Sequence, residues 1–278
     1  VQKLRSHLGQ RMRVEVGAKT FNESYILAEL ISLRLSGEYD VVQRKGLGSM
    51  VAFNALRASE LDCYVDYSGT IWATVMNRDE VLDAGTVLPQ MTAWLEANHG
   101  IRCLGSLGFE NAYALAVRRE LAEQHDLGHI GDLAGVASRM SIASDPEFFG
   151  RAEWTNLREV YRLRFREQIG MQSTLMYQAL NAGEVDVITA YTSDGRVAAF
   201  DLVVLEDRRR VLPPYDAVLL LSPRAAGRPD LVRRLRPLIG AIDVQTMRQA
   251  NLWVDIDGLT PAAAAARLWE ELADADNR

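Results

Sequence analysis

The sequence predicts an α/β protein of two lobes, each a central sheet flanked by helices, with one cleft between them. Three observations carry this expectation. Strand-like and helix-like segments alternate along most of the chain, the layout of parallel sheets covered by helices on both faces. Two stretches, NALRASELDCYVDYSG at 54–69 and QALNAGEVDVITAYTS at 178–193, align without a gap and share Ala, Leu, Ala, Glu, Asp and Tyr at matching positions. Finally, 278 residues suit two cores of ordinary domain size.

The elements follow in order. RVEVGAK at 13–19 reads as a strand, and Asn22–Leu35 as a helix with Ile26, Leu27, Leu30, Ile31 and Leu35 along one face. Tyr39–Gln43 reads as a strand, Ser49–Ala58 as a helix and Leu61–Tyr67 as a third strand. The second half repeats this logic: strand Ala114–Val117, helix Leu133–Ala137, strand Met140–Ala143, helices Leu157–Leu163 and Thr174–Asn181, strand Val185–Ala190. Strand Leu202–Leu205 then leads into PPYDAVLLL at 213–221, followed by helices at 229–239, 243–250 and 260–273, the last opened by Thr260–Pro261. This order predicts one lobe inserted in another: residues 1–110 and 211–278 form a discontinuous first lobe, 111–210 the second. The chain crosses between them at Phe109–Asn111 and Pro213–Pro214.

Composition narrows the function classes. A net charge of −6 argues against nucleic acid or an anionic membrane as the main partner, and the short basic clusters Arg208–Arg210 and Arg233, Arg234, Arg236 read as a solvated turn and helix face. No apolar run reaches the ~20 residues of a membrane helix, and VQKLRSHLGQ is not a leader, so a signal segment is expected to be absent or removed. Two cysteines, Cys63 and Cys103, exclude a disulfide-rich scaffold and leave a single bridge open. Of 31 basic residues only Lys3, Lys19 and Lys45 are lysine, which marks positions where a compact ammonium is kept.

Catalytic motifs are thin, and no catalytic residue, metal site or cofactor is expected. His125 and His129 have a chelating spacing, but Gly128 breaks the segment. RKGLGSM at 44–50 lacks the third glycine of a dinucleotide loop and at most offers backbone N–H groups to a small anion. The aromatic residues say more. In α/β sheets ligands bind beyond the carboxyl ends of strands, where the two echoes deliver Tyr67 and Tyr191; Tyr113 and Tyr215 follow the two crossings. Tyrosine faces can surround a quaternary ammonium, which has no N–H to donate, at about 0.5–2 kcal/mol each when desolvated. The alternative, that each ring packs at a sheet edge, stays open at this point.

GAKTFNESYILAEL at 17–30, KGLGSMVAFNAL at 45–56, DYSGT at 66–70, GFENAYALAVRREL at 108–121, YQALNAGEVDVITAYTSDGR at 177–196, LVVLED at 202–207 and PPYDA at 213–217 resemble the substrate-binding proteins of osmoprotectant ABC importers. That family binds glycine betaine, proline betaine, choline or carnitine, and the likeness runs from about Val14 to Asp255 with its motifs in the same order. The resemblance implies a two-lobed periplasmic-binding-protein fold of type II and an ammonium cage of Tyr67, Tyr113, Tyr191 and Tyr215. It also implies a carboxylate clamp of Lys19, Thr70 and Arg151, the last in DPEFFGR, although the AEWTN that follows departs from the usual pattern. Asn111 stands where some members carry an acidic residue, and with Ser49–Met50 and Trp72 it bears on the choice between betaine and choline. The expected partners are a small quaternary-ammonium ligand and a permease subunit at the periplasmic or extracellular face of the membrane, with the chain a monomer, either separate or fused to a permease.

Two other readings use the same fold. An enzyme acting on another small zwitterion, such as an amino acid, would have Lys19 or Asp216 as its candidate groups. A regulator's effector-sensing half would need a DNA-binding motif ahead of Val14, for which this sequence has no room.

Overall fold

The computed structural model describes residues 11–146 and 148–276; the opening decapeptide with Lys3, and Glu147 of the DPEFFGR segment, lie outside the described residues. The chain begins with β1 (Met12–Lys19), α1 (Asn22–Leu35), β2 (Tyr39–Leu47), α2 (Ser49–Arg57), β3 (Cys63–Tyr67), the short α3 (Ser68–Thr70), α4 (Ala84–His99) and β4 (Arg102–Glu110). It continues with β5 (Tyr113–Arg118), α5 (Arg119–His125), β6 (Ser141–Ser144), α6 (Ala152–Tyr161), β7 (Glu167–Gly170), α7 (Ser173–Ala182), β8 (Val187–Tyr191), α8 (Gly195–Ala199) and β9 (Leu202–Leu205). It closes with β10 (Asp216–Leu221), α9 (Pro223–Ala226), α10 (Pro229–Leu235), α11 (Val244–Asp255) and α12 (Pro261–Asp276).

These strands form two five-stranded sheets, β2-β1-β3-β10-β4 and β7-β6-β8-β5-β9. Each is buried on both faces by helices, and the alternation of side chains along β10 displays this. Ala217, Leu219 and Leu221 join the core with α1 and α11, whereas Val218 and Leu220 join the opposite core with Phe53 and Leu95. In β5, Leu115 and Val117 face one core and Ala116 the other. The helix expected at Asn22–Leu35 has those bounds, with its five apolar residues buried.

Both sheets are mixed, which corrects the expectation of a parallel sheet. β1 pairs in parallel with β2 and β3, but β10 runs antiparallel to β3 and β4; likewise β6 is parallel to β7 and β8, and β5 antiparallel to β8 and β9. The crossings supply the reason. β3 and β8 end at the gap between the sheets, whereas β10 and β5 start there after a crossing, so they must run the other way.

Other expectations shift for local reasons. The helix expected at 133–137 is two 3-10 turns, Ile130–Gly135 and Ala137–Arg139. The helix expected at 157–163 starts earlier, at Ala152, and stops where Arg162 turns left-handed at φ 57°. Helix α4, not anticipated, is capped by Asp83, whose carboxylate accepts from the Thr86 N–H, and stopped by Gly100 at φ 63°. Strand β4 was hidden by its glycines, of which Gly108 (φ 117°) is required, since a Cβ there would lie 2.6 Å from the Ile242 carbonyl oxygen. Cys63 and Cys103 are free thiols, because β10 lies between the strands that carry them.

Candidate ligand-binding site

Strand ends build the site. β1 finishes on Lys19, and the turn into α1 is fixed by the Ser24 hydroxyl, which accepts from the Lys19 N–H at 2.7 Å. β3 finishes on Tyr67, and the chain turns at once into α3 and a π-helical turn, Ile71–Val75, which brings Thr70 to the same end of the sheet. In the other lobe β8 finishes on Tyr191, and Asp194 caps α8 by accepting from the Arg196 N–H at 2.9 Å. The crossings lie side by side: the Asn111 N–H donates to the Tyr215 carbonyl at 3.0 Å, and the Thr192 hydroxyl donates to the Glu110 carbonyl at 2.6 Å.

Between these ends lies a cavity of about 610 Å³, lined by Lys19, Tyr67, Thr70, Asn111, Tyr191 and Tyr215, together with Glu23. Six of the eight residues singled out from the sequence therefore meet in one place. The other two stand beside it. Tyr113 lines a second cavity of about 620 Å³ and stacks on Tyr191, ring centroids 5.0 Å apart. Arg151 lines a third cavity of about 340 Å³ that shares Tyr215 as a wall. Its guanidinium lies 5.4 Å from the Tyr113 ring centroid and bonds Glu153 at 3.0 Å, which raises its pKa further. Trp72 lines this third cavity, with Arg78 over its ring at 4.7 Å. Met50 is exposed, and neither it nor Ser49 lines the first cavity.

The rings are unequally exposed. Tyr67 is 4% exposed and Tyr191 39%, so the first is a wall held from behind and the second an open flap. Two rings already carry a cation of the protein itself, Lys19 at 5.5 Å from Tyr67 and Arg151 over Tyr113.

Several groups of the site are not among those singled out from the sequence. The Lys19 ammonium is held by Asp66 at 3.0 Å, in a buried pair. Asp66 also accepts from the Tyr64 hydroxyl at 2.6 Å and the Tyr67 N–H at 2.8 Å. Among the described residues Asp66 is the one acceptor within hydrogen-bond distance of Nζ, so two of its three protons remain free. Glu23, in the first turn of α1, accepts from the Tyr67 hydroxyl, from Asn111 Nδ2 at 3.2 Å and from Asn251 Nδ2 at 2.7 Å. Burial pushes its pKa up from the ordinary carboxylate value, and these bonds pull it partly back. Burial, then Glu23 itself, pushes the Tyr67 hydroxyl well above its usual range. Glu23 sits inside the GAKTFNESYILAEL motif, four residues after Lys19, so an acidic residue in that turn was a usable signal; Asn251, far along the chain, was not.

Nothing here resembles a metal centre: His129 pairs with Asp132 at 2.9 Å, and no cluster of three or more metal-ligating side chains occurs among the described residues. No helix among those residues is long and apolar enough to cross a membrane.

A family model described as the substrate binding domain of ABC-type glycine betaine transport system matches residues 12–271. The glycine-betaine-binding protein of Pseudomonas aeruginosa is 34% identical, the match covering 95% of this chain and 89% of that one. The ergothioneine transport permease/ergothioneine binding protein EgtU of Helicobacter pylori is 27% identical over 92% of this chain, which spans 47% of that protein. A crystal structure of a glycine betaine/carnitine/choline ABC transporter protein superposes with a TM-score of 0.89 at 27% identity, covering 93% of this chain and 98% of the other.

Proposed function

We propose that this chain, which belongs to the family of substrate-binding domains of ABC-type glycine betaine transport systems, captures a betaine-like zwitterion in the 610 Å³ cavity and presents it to a membrane permease. The observation that carries the reading is the convergence of Lys19, Thr70, Tyr67, Tyr191 and Tyr215 on that cavity from both sheets. Tyr67 and Tyr191 face the ammonium from opposite walls, with Tyr215 as a third face and Tyr113 backing Tyr191. Lys19 and Thr70 take the carboxylate from the first lobe; Arg151, from the second, swings from Glu153 toward it as the cleft narrows. Asn111, neutral and near Tyr67, favours a zwitterion over a bare cation.

The lobes are residues 1–110 with 211–278, and 111–210, hinged at the crossings. A ligand that touches both walls binds the closed form better than the open one, and that difference shifts the population toward the shape a transporter recognises. The chain acts as a binding protein, not an enzyme, at the extracytoplasmic face, and works as a monomer. Titration calorimetry with glycine betaine, proline betaine, choline and carnitine tests the reading. Heat with at least one is expected; no heat with any of the four rejects it.

A further inference from the structure

We propose that Glu23 is the counter-charge of the bound cation, acting across the Tyr67 hydroxyl that it holds, so that the cavity selects ligands for the positive charge of the head group as well as its shape. This rests on the reading of the cavity as a quaternary-ammonium site.

The side chain is 4% exposed, yet Glu23 lines the cavity. Its hydrogen bonds describe a carboxylate that accepts everywhere. Oε1 receives the Tyr67 hydroxyl and Asn111 Nδ2, and Oε2 receives Asn251 Nδ2. The orientation of the Asn251 amide is fixed independently, because the same Nδ2 also donates to the Ser193 carbonyl at 2.8 Å. Both asparagines thereby leave Oδ1 buried without a hydrogen-bond partner.

No basic side chain forms an ion pair with Glu23 among the described residues. Of the basic side chains around the cavity, Lys19 is paired with Asp66 at 3.0 Å, Arg196 with Asp194 at 2.7 Å and Arg151 with Glu153 at 3.0 Å, while the guanidinium of Arg248, one turn before Asn251, donates to the Thr192 carbonyl. A buried carboxylate without a counter-ion is unfavourable even when hydrogen-bonded. Three neutral donors and the first turn of α1 lower that cost without cancelling the charge. The remaining imbalance faces the cavity, where a trimethylammonium group would complete it. Glu23 also polarises Tyr67: a phenol donating to a carboxylate has a more electron-rich ring, which strengthens its attraction for a cation.

Glycine betaine and its carbon isostere 3,3-dimethylbutanoate share shape and carboxylate and differ in the positive charge alone. Binding of both is measured by calorimetry at neutral pH for the wild type, Glu23→Gln and Tyr67→Phe. Glu23→Gln keeps the side-chain shape, and its amide oxygen can still accept from the Tyr67 hydroxyl and Asn111 Nδ2. It is expected to weaken betaine at least about tenfold, ~1.4 kcal/mol, while the isostere holds within twofold or gains. Tyr67→Phe, which removes only the hydroxyl, is expected to weaken betaine about threefold with the isostere unchanged, and it decides the matter if Glu23→Gln folds poorly. Equal losses for the two ligands, or no loss of betaine, overturn the inference while leaving the binding function intact. A wild type that binds no quaternary ammonium overturns the functional reading, and this inference with it.

Discussion

Tyr113 and Tyr191 stand directly opposite one another on antiparallel β5 and β8, with ring centroids 5.0 Å apart and planes inclined by 33°. Tyr113 also touches Phe148 at 5.1 Å, so it links the exposed Tyr191 ring to the aromatic core of Phe148, Phe149 and Trp154. The two substitutions should therefore separate. Tyr191→Ala is expected to weaken glycine betaine at least tenfold with less than about 1 kcal/mol lost in stability, since its ring is half in solvent. Tyr113→Ala is expected to weaken binding and also cost about 2–4 kcal/mol. Calorimetry paired with urea unfolding checks both.

The buried pair of Lys19 and Asp66 is asymmetric in its remaining partners. Removing Asp66 leaves a buried ammonium with no acceptor, and Asp66→Ala should cost about 3–5 kcal/mol. Lys19→Met should cost less, because Asp66 keeps the Tyr64 hydroxyl and the Tyr67 N–H. Binding should order the other way among folded variants, with Lys19→Met losing the proposed charge partner of the ligand carboxylate. Denaturation curves and betaine titrations of the two variants give both orders.

Glu23 sets a pH dependence whose sign follows from its raised pKa. Its folded form takes up a proton more readily than the unfolded chain, so its contribution is most favourable below the unfolded value, ordinarily 4.5. That contribution falls away as pH rises through the folded value, where the buried group must ionise. The stability of the wild type relative to Glu23→Gln should accordingly decline from acid toward neutral pH in thermal melts of both proteins. A flat difference would mean that burial does not shift this carboxylate.

Gly69 lets Tyr215 lie against the start of α3: a Cβ there would stand 2.7 Å from the Pro214 carbonyl oxygen and 2.7 Å from two atoms of the Tyr215 ring. The ring can turn but the backbone yields less, so Gly69→Ala should displace Tyr215, a wall of the 610 Å³ cavity. About 1–3 kcal/mol of stability and at least a tenfold loss of betaine affinity are expected, read by the same two measurements.

How much of this was legible depended on whether a signal was local. The turn from β1 into α1 announced itself in GAKTFNESYILAEL, since strand pattern, cap region and helical face lie within fourteen residues. The echo placed Tyr67 and Tyr191 correctly at the ends of β3 and β8 because a strand's last residue can be read from its own sequence. What stayed hidden is long-range. The sense of β5 and β10 depends on the side from which the chain enters each sheet, and the role of Glu23 depends on an asparagine 228 residues away. Arg151 shows the limit of a motif: it fixed the segment, but the direction of the guanidinium is decided by Glu153 and Tyr113.

The strand β10 is wedged between β3 and β4, although it follows the whole of the second lobe in the chain. All five strands of the sheet β7-β6-β8-β5-β9 leave the ribosome before it does. The inserted lobe can thus close while its host is still an open half, with the edges of β3 and β4 unpaired and waiting. Biogenesis runs from the inside of the chain outward, and the interval before residue 221 emerges is when those edges most need shielding.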